Sequence, residues 1–273
     1  MSDQNALPTP PWWSSNEARH AARDEARRVR RQERAGGRGK ADAPPSREPV
    51  TPERIADAAL AVIDAEGLDG LTVRRLAQEL GVGTMTLYWY VQNKDEVLDL
   101  VADRVLAGID VPPVETEWQL AVRQVAIAVR AAALRHAGAV PVMVGRGSFG
   151  PNGLGLTDQA LRVFRGAGFN EADAADAYFA VSNFVWGFCA QQTAGIDQSK
   201  RSDSDRKGYF QMVRQYIEGL PPDRYPDLQA AAPRIFTASL DDRFAFGIDC
   251  LIAGFAARLR TSEAGPLPGG SKS

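Results

Sequence analysis

LTVRRLAQELGVGTMTLYWYVQN, from Leu71 to Asn93, is the stretch whose reading decides the fold. Thr72 is a natural N-cap, because its hydroxyl can accept from the free N–H groups of a first helical turn. Val73, Leu76, Ala77 and Leu80 then recur at helical spacing until Gly81 ends the run. A second helix follows almost at once. Leu87 and Val91 turn inward from it, while Thr84, Met85, Thr86, Tyr88 and Tyr90 occupy faces open to a partner. Two helices crossing steeply over a glycine-containing turn make a helix-turn-helix, whose second helix fits the major groove of DNA.

The flanks extend this unit. Thr51 is an N-cap with Pro52 at the first helical position, and the helix it opens runs to about Glu66, before Gly67. Downstream, Asn93 caps a further helix with Glu96 three residues on, a capping-box variant. Leu98, Val101 and Val105 carry the apolar face of that helix toward Ile109, and Pro112 with Pro113 breaks the chain.

Four linked segments here carry a resemblance: TPERIADAAL at Thr51 to Leu60, GLDGLT at Gly67 to Thr72, LAQELGV at Leu76 to Val82, and TLYWYVQNK at Thr86 to Lys94. Together they resemble the DNA-binding module of the tetracycline-repressor (TetR) family of transcriptional regulators, without a gap from about Thr51 to Ile109. The resemblance implies that Arg74, Thr84, Met85, Thr86, Tyr88, Trp89, Tyr90 and Lys94 face DNA. An arginine at position 74 can grip a guanine edge with two hydrogen bonds. Thr86 and Tyr88 offer hydroxyls to phosphate, and Lys94 opens a helix whose free N–H groups also favour anions. Thr84 and Met85 suit thymine methyls. The family often has Ser or Thr before the second helix, but here Gly83 stands there and supplies no side chain. The competing reading of TLYWYV is a core aromatic stripe, and different side chains can fill both roles.

Charge is unevenly spread. The whole chain carries −2, yet between Glu17 and Lys40 nine basic residues face four acidic ones, whereas from Val50 to Leu100 four basic residues face nine acidic ones. Phosphate attraction is therefore expected from a few placed groups or from the arginine-rich arm. Residues 1–49 are expected to be that flexible arm, 50–110 the helix-turn-helix domain, 111–262 a helical effector-binding and dimerisation domain, and 263–273 a disordered tail. Asp197 to Lys207 is expected to be a mobile loop.

Apolar spacing beyond residue 111 is mostly three or four, with no sustained alternation, so the fold is expected to be all-α throughout. Asn170 caps a long apolar helix to about Gly195, and Ser239 with Asp242 caps the last helix. These helices, around Phe184 and Leu251, are apolar on more than one face, and a second subunit is one way to bury them. The resemblance implies that late helices of two chains pack into a four-helix interface. A homodimer and a palindromic operator follow.

The resemblance also implies an effector cavity in the second domain. Tetracycline repressor holds a magnesium–drug chelate with histidines, but Met143 stands where the metal-binding histidine would be and Asp110 replaces a drug-contacting one. An apolar effector is the alternative, with Asp110, Met143, Phe149, Phe179, Asn183, Trp186 and Gln191 as candidate contacts. No metal and no cofactor is expected.

Gly145, Gly147 and Gly150 form GxGxxG after AVPVMV, imitating a dinucleotide-binding turn. Pro141 interrupts the strand this needs, Pro151 follows the last glycine and no alternating strands surround the motif, so a loop between helices is the better reading. No catalytic constellation is visible. Cys189 and Cys250 are expected to be reduced and buried, without CxxC spacing. There is no signal peptide or membrane span in the pattern, so a cytoplasmic protein is expected. The reading is a homodimeric repressor of a double-stranded operator, released by a small molecule. Its rival is a helical small-molecule-binding protein or enzyme with a vestigial DNA module.

Overall fold

The computed structural model describes residues 49–113, 115–197 and 203–263, and among them there are helices and no strand. In chain order the α-helices are α1 (Pro52–Gly70), α2 (Val73–Glu79), α3 (Thr84–Leu87), α4 (Lys94–Val105), α5 (Trp118–Arg135), α6 (Val140–Arg146), α7 (Pro151–Gly166), α8 (Glu171–Asp197), α9 (Asp203–Glu218), α10 (Pro226–Thr237) and α11 (Leu240–Glu263). A short 3-10 turn, Ala137–Ala139, precedes α6. The arm and the tail lie outside the described residues. Of the segment expected to be a loop, Asp203 to Lys207 is instead helical, as the first turns of α9.

The chain divides into two compact units, one of residues 1–110 and 135–158, the other of 111–134 and 159–273. In the first, α1 starts where Thr51 Oγ1 accepts from the Arg54 N–H at 3.2 Å, with Pro52 at the opening position. Its inward stripe, Ile55, Ala56, Ala59, Leu60, Val62 and Ile63, is buried. That face packs against the Val97, Leu98, Val101 and Val105 side of α4. Helical geometry fails at Gly67, whose φ of 78° ends the regular run close to Glu66. The 3-10 turn also rests on α1: a Cβ at Gly138 would stand 3.0 Å from the Ile63 carbonyl oxygen, so only glycine allows this approach.

The second unit is built round two aromatic clusters. Trp118, Phe164, Phe169 and Phe255 meet at ring-centroid separations of 5.5–6.2 Å. Phe184, Phe188 and Phe244 form the other, where α8 packs on α11. The Arg130 guanidinium lies 4.8 Å from the Phe244 centroid and 5.3 Å from that of Phe188. It bonds Gln192 at 3.1 Å and Asp241 at 2.8 Å. A cation held over two rings binds α5, α8 and α11 into one packing unit. The caps read from the sequence are formed: Asn170 Oδ1 accepts from Asp173 N at 2.9 Å, and Ser239 Oγ accepts from Asp242 N at 3.0 Å.

Of the two cysteines, only Cys250 departs from expectation. Cys189 is buried and free, and burial pushes its thiol up to about 11, whereas Cys250 is free but exposed. Apolar neighbours in sequence do not bury a residue on the outer side of α11, where Phe246 is itself 70% exposed.

Candidate nucleic-acid interface

Backbone geometry presents α3. Thr72 Oγ1 accepts from Arg75 N at 3.1 Å to open α2, and Gly81, at φ +66°, turns the chain between the two helices. The Val82 N–H reaches back to the Ala77 carbonyl at 3.0 Å, closing that turn. Only Thr84–Leu87 is helical in α3, and Gly83 at its cap makes no side-chain bond. Two inward anchors hold this turn, Leu87 at 0% and Val91 at 2% exposure.

With those two buried, Thr84, Met85, Tyr88 and Trp89 project outward, Met85 at 73% and Trp89 at 65% exposure, and Thr86 is half-buried beside them. Arg74 is exposed on α2 and makes no hydrogen bond or ion pair among the described residues. A free guanidinium beside two hydroxyls, a thioether and two aromatic faces offers both base-edge and phosphate contacts.

Two of the eight expected DNA-facing residues are engaged elsewhere. Tyr90 is buried at 4% exposure and packs as core, so the run TLYWYV splits its rings between two roles. Lys94 is exposed, but its Nζ donates to the Leu68 carbonyl at 3.1 Å and so steadies the end of α1. Asn93 caps α4 by accepting from Glu96 N at 2.9 Å. The reciprocal Glu96 bond goes to Gln92 N at 3.0 Å, one residue earlier than a standard capping box.

The acidic residues of this region are largely tied up. Arg75 is held by Glu66 at 2.6 Å and Glu79 at 2.8 Å, and the hydrogen bond it donates to Glu66 is the main cause raising its pKa. Arg104 grips Asp57 through two bonds of 2.5 and 3.1 Å. His136 Nδ1 stands 2.8 Å from Asp64. These last two pairs line a cleft of about 340 Å³ between α1 and the end of α4. Arg146 bonds Asp99 at 3.2 Å and also Asp95. Three of the four basic partners (Arg104, His136 and Arg146) lie beyond residue 100, so a charge count of Val50 to Leu100 misses them.

The expected effector contacts fall in different places. Asp110 and Phe149 are exposed, and Met143 is buried at 3% exposure, all in the first unit. In the second, Phe179, Asn183 and Trp186 share one face of α8 at helical spacing, while Gln191 lies about a third of a turn round from it. Phe179 is 60% exposed and Asn183 is exposed. A magnesium chelate does not fit Met143, because Mg²⁺ demands hard oxygen or nitrogen donors and a thioether is soft. Among the described residues no three of His, Cys, Asp and Glu stand together as a metal-ligand set, and no single helix is long and apolar enough to cross a membrane.

One buried charge went unread in the sequence. Asp103, on α4 and 4% exposed, accepts four hydrogen bonds, one from Ser148 between α6 and α7 and three from Asn152 and Gly153 in the first turn of α7. Its only sequence signal is its position, eight residues after Asp95 and four after Asp99 on one side of α4.

Residues 55–101 match the profile described as bacterial regulatory proteins, tetR family, and residues 111–259 match the tetracyclin repressor-like C-terminal domain. The HTH-type transcriptional repressor DrrR1 of Streptomyces coeruleorubidus is 30% identical over 230 residues, covering 81% of this chain and 85% of that protein. The class D tetracycline repressor protein of Escherichia coli is 31% identical over 211 residues, covering 76% and 89%. Among solved structures, ActR of Streptomyces coelicolor in complex with actinorhodin superposes with a TM-score of 0.71 at 33% identity, covering 77% of this chain and 97% of that one. Apo ActR gives a TM-score of 0.69 at 33% identity, covering 81% and 100%.

Proposed function

The chain belongs to the tetR family of bacterial regulatory proteins, and on that premise we propose that it is a homodimeric, cytoplasmic repressor that binds a palindromic double-stranded operator and releases it when a small molecule binds. The observation that carries this reading is the reading surface. Leu87 and Val91 are buried, which holds Thr84, Met85, Tyr88 and Trp89 outward, and Arg74 is exposed on the preceding helix. Residues 50–110 take the DNA-reading role and 111–262 the effector and dimer roles.

Dimerisation is supported by apolar surface exposed on α11. Phe246 on α11 is 70% exposed, and fully burying its ring is worth roughly 1.5–3 kcal/mol. For the effector, the Phe179, Asn183 and Trp186 face of α8 favours a largely apolar molecule with one group for an amide. Gln191, Met143, Phe149 and Asp110 are the further positions to vary. The relatives include one structure with actinorhodin bound and several tetracycline repressors. Met143 speaks against a magnesium–tetracycline ligand.

The test is selection of bound fragments from the host's genomic DNA, followed by gel-shift. Enrichment of a palindromic sequence is expected. Recovery of fragments no different from the input pool would overturn the proposal.

A further inference from the structure

Asp95, Asp99 and Asp103 recur at intervals of four, so they form one stripe along α4. All three point their chemistry at the same short segment. Arg146, at the end of α6, bonds Asp99 at 3.2 Å and Asp95 as well. Asp103 takes the rest: Ser148 Oγ at 3.0 Å and Gly153 N at 2.9 Å on Oδ1, and Asn152 N at 3.3 Å with Asn152 Nδ2 at 2.7 Å on Oδ2.

Those four bonds use the full accepting capacity of a carboxylate. Asp103 is 4% exposed and no ion pair to it is found among the described residues, so these donors and the N-terminal end of α7 balance its charge. Two of the glycines that imitate a nucleotide loop serve this arrangement. Gly147 turns the chain at φ +69°, and a Cβ at Gly150 would stand 2.6 Å from Asp103 Oδ1. If segment 146–153 shifted, the carboxylate would lose its partners together and remain buried, which favours two discrete arrangements over a gradual slide.

We propose that residues 146–153 are a working part of the DNA-reading head, clasped to α4 by the aspartate stripe, with Asp103 the positioning residue through which this segment sets the lie of α3. The link to α3 is short. α4 begins at the Asn93 cap, two residues after the buried Val91, and Lys94 ties its start to Leu68 on α1. Displacing the segment therefore displaces α4 relative to α1, and with it the frame on which Leu87 and Val91 seat the reading turn. The inference rests on the DNA-reading function proposed above.

The test compares the full chain with Asp103→Asn and Asn152→Ala, the latter removing one bond at the rim while leaving the backbone donors. Hydrogen exchange on the free proteins is read first. Both variants are expected to lose protection at 147–153 and, at the same time, at 84–98. Operator affinity is then measured well below each melting temperature, on a duplex that the wild-type protein selects from genomic DNA. Asp103→Asn is expected to weaken it about tenfold, and operator binding should raise protection at 147–153 in the wild type but not in this variant.

Lost stability with unchanged operator affinity per folded molecule and unchanged exchange at 84–98 would reduce Asp103 to a structural cap and overturn the inference. If wild-type protein selects no DNA, the proposed function fails, and exchange at 84–98 in the free variants still decides the clasp. Should Asp103→Asn fail to fold, Asn152→Ala carries the same comparison.

Discussion

Glu66 accepts from Arg75 Nε at 2.6 Å, while Arg74, the next residue back, has no partner among the described residues. Adjacent arginines on one helix thus have opposite assignments. One guanidinium is used inside the protein and the other is exposed and free, as the proposed contact to DNA requires. Arg74→Ala should relax base preference at one operator position by about 1–3 kcal/mol. Arg75→Ala should leave preference unchanged. Competition binding against an operator library reads both, and equal losses of preference would remove the distinction.

Asn93 ends the reading turn and begins α4 with a single bond to Glu96 N at 2.9 Å. Removing that cap by Asn93→Ala should cost about 1 kcal/mol of stability. A shift of the urea midpoint without a change of slope is the expected signature. A neutral result would mean that packing of Val97, Leu98 and Val101 alone fixes where the helix starts.

Acid should act on the second unit through Asp173. Its carboxyl is held below the ordinary 3.8, chiefly by the hydrogen bond from Arg258 at 2.7 Å and then by Asn170. A depressed carboxyl stabilises the fold fully above its unfolded value, and the contribution disappears as pH falls through the lower, folded one. Stability curves of wild type and Arg258→Ala should therefore lie apart at neutral pH and converge below about pH 4. Parallel curves down to the acid limit would show that the pair contributes nothing.

The arginine-rich stretch before residue 49 carries the opposite charge balance to the helix-turn-helix. The full chain should show a steeper fall of operator affinity with salt than a chain starting near Val50. Equal slopes would assign the phosphate contacts to the folded domain alone.

The DNA-reading unit was largely legible because its signals are local. Thr51, Thr72 and Asn93 cap helices whose apolar residues follow at helical spacing, and each cap bond forms within three residues. What was not legible depends on distant partners or on where a helix stops. Tyr90 was expected at the DNA, but α3 ends at Leu87, so helical periodicity no longer tells which ring turns inward. Five of the seven residues of α6 are Val, Pro or Gly, poor helix formers. It is helical with Val140, Val142 and Met143 buried, which a one-dimensional pattern does not record. The start of α7 at Pro151 is not legible for a related reason, since the side chain that satisfies its first N–H groups is Asp103, far back on α4.

The brevity of α3 has a calorimetric consequence. A four-residue helix without a side-chain cap falls well short of the length at which a helix sustains itself, so its outward residues owe their order to Leu87 and Val91 beneath them. Under the proposed function, contact with a groove would immobilise Met85, Trp89 and the turn that bears them. Heat released on association would then be offset by lost chain entropy, and the heat capacity would fall further than the buried surface of a preformed helix accounts for.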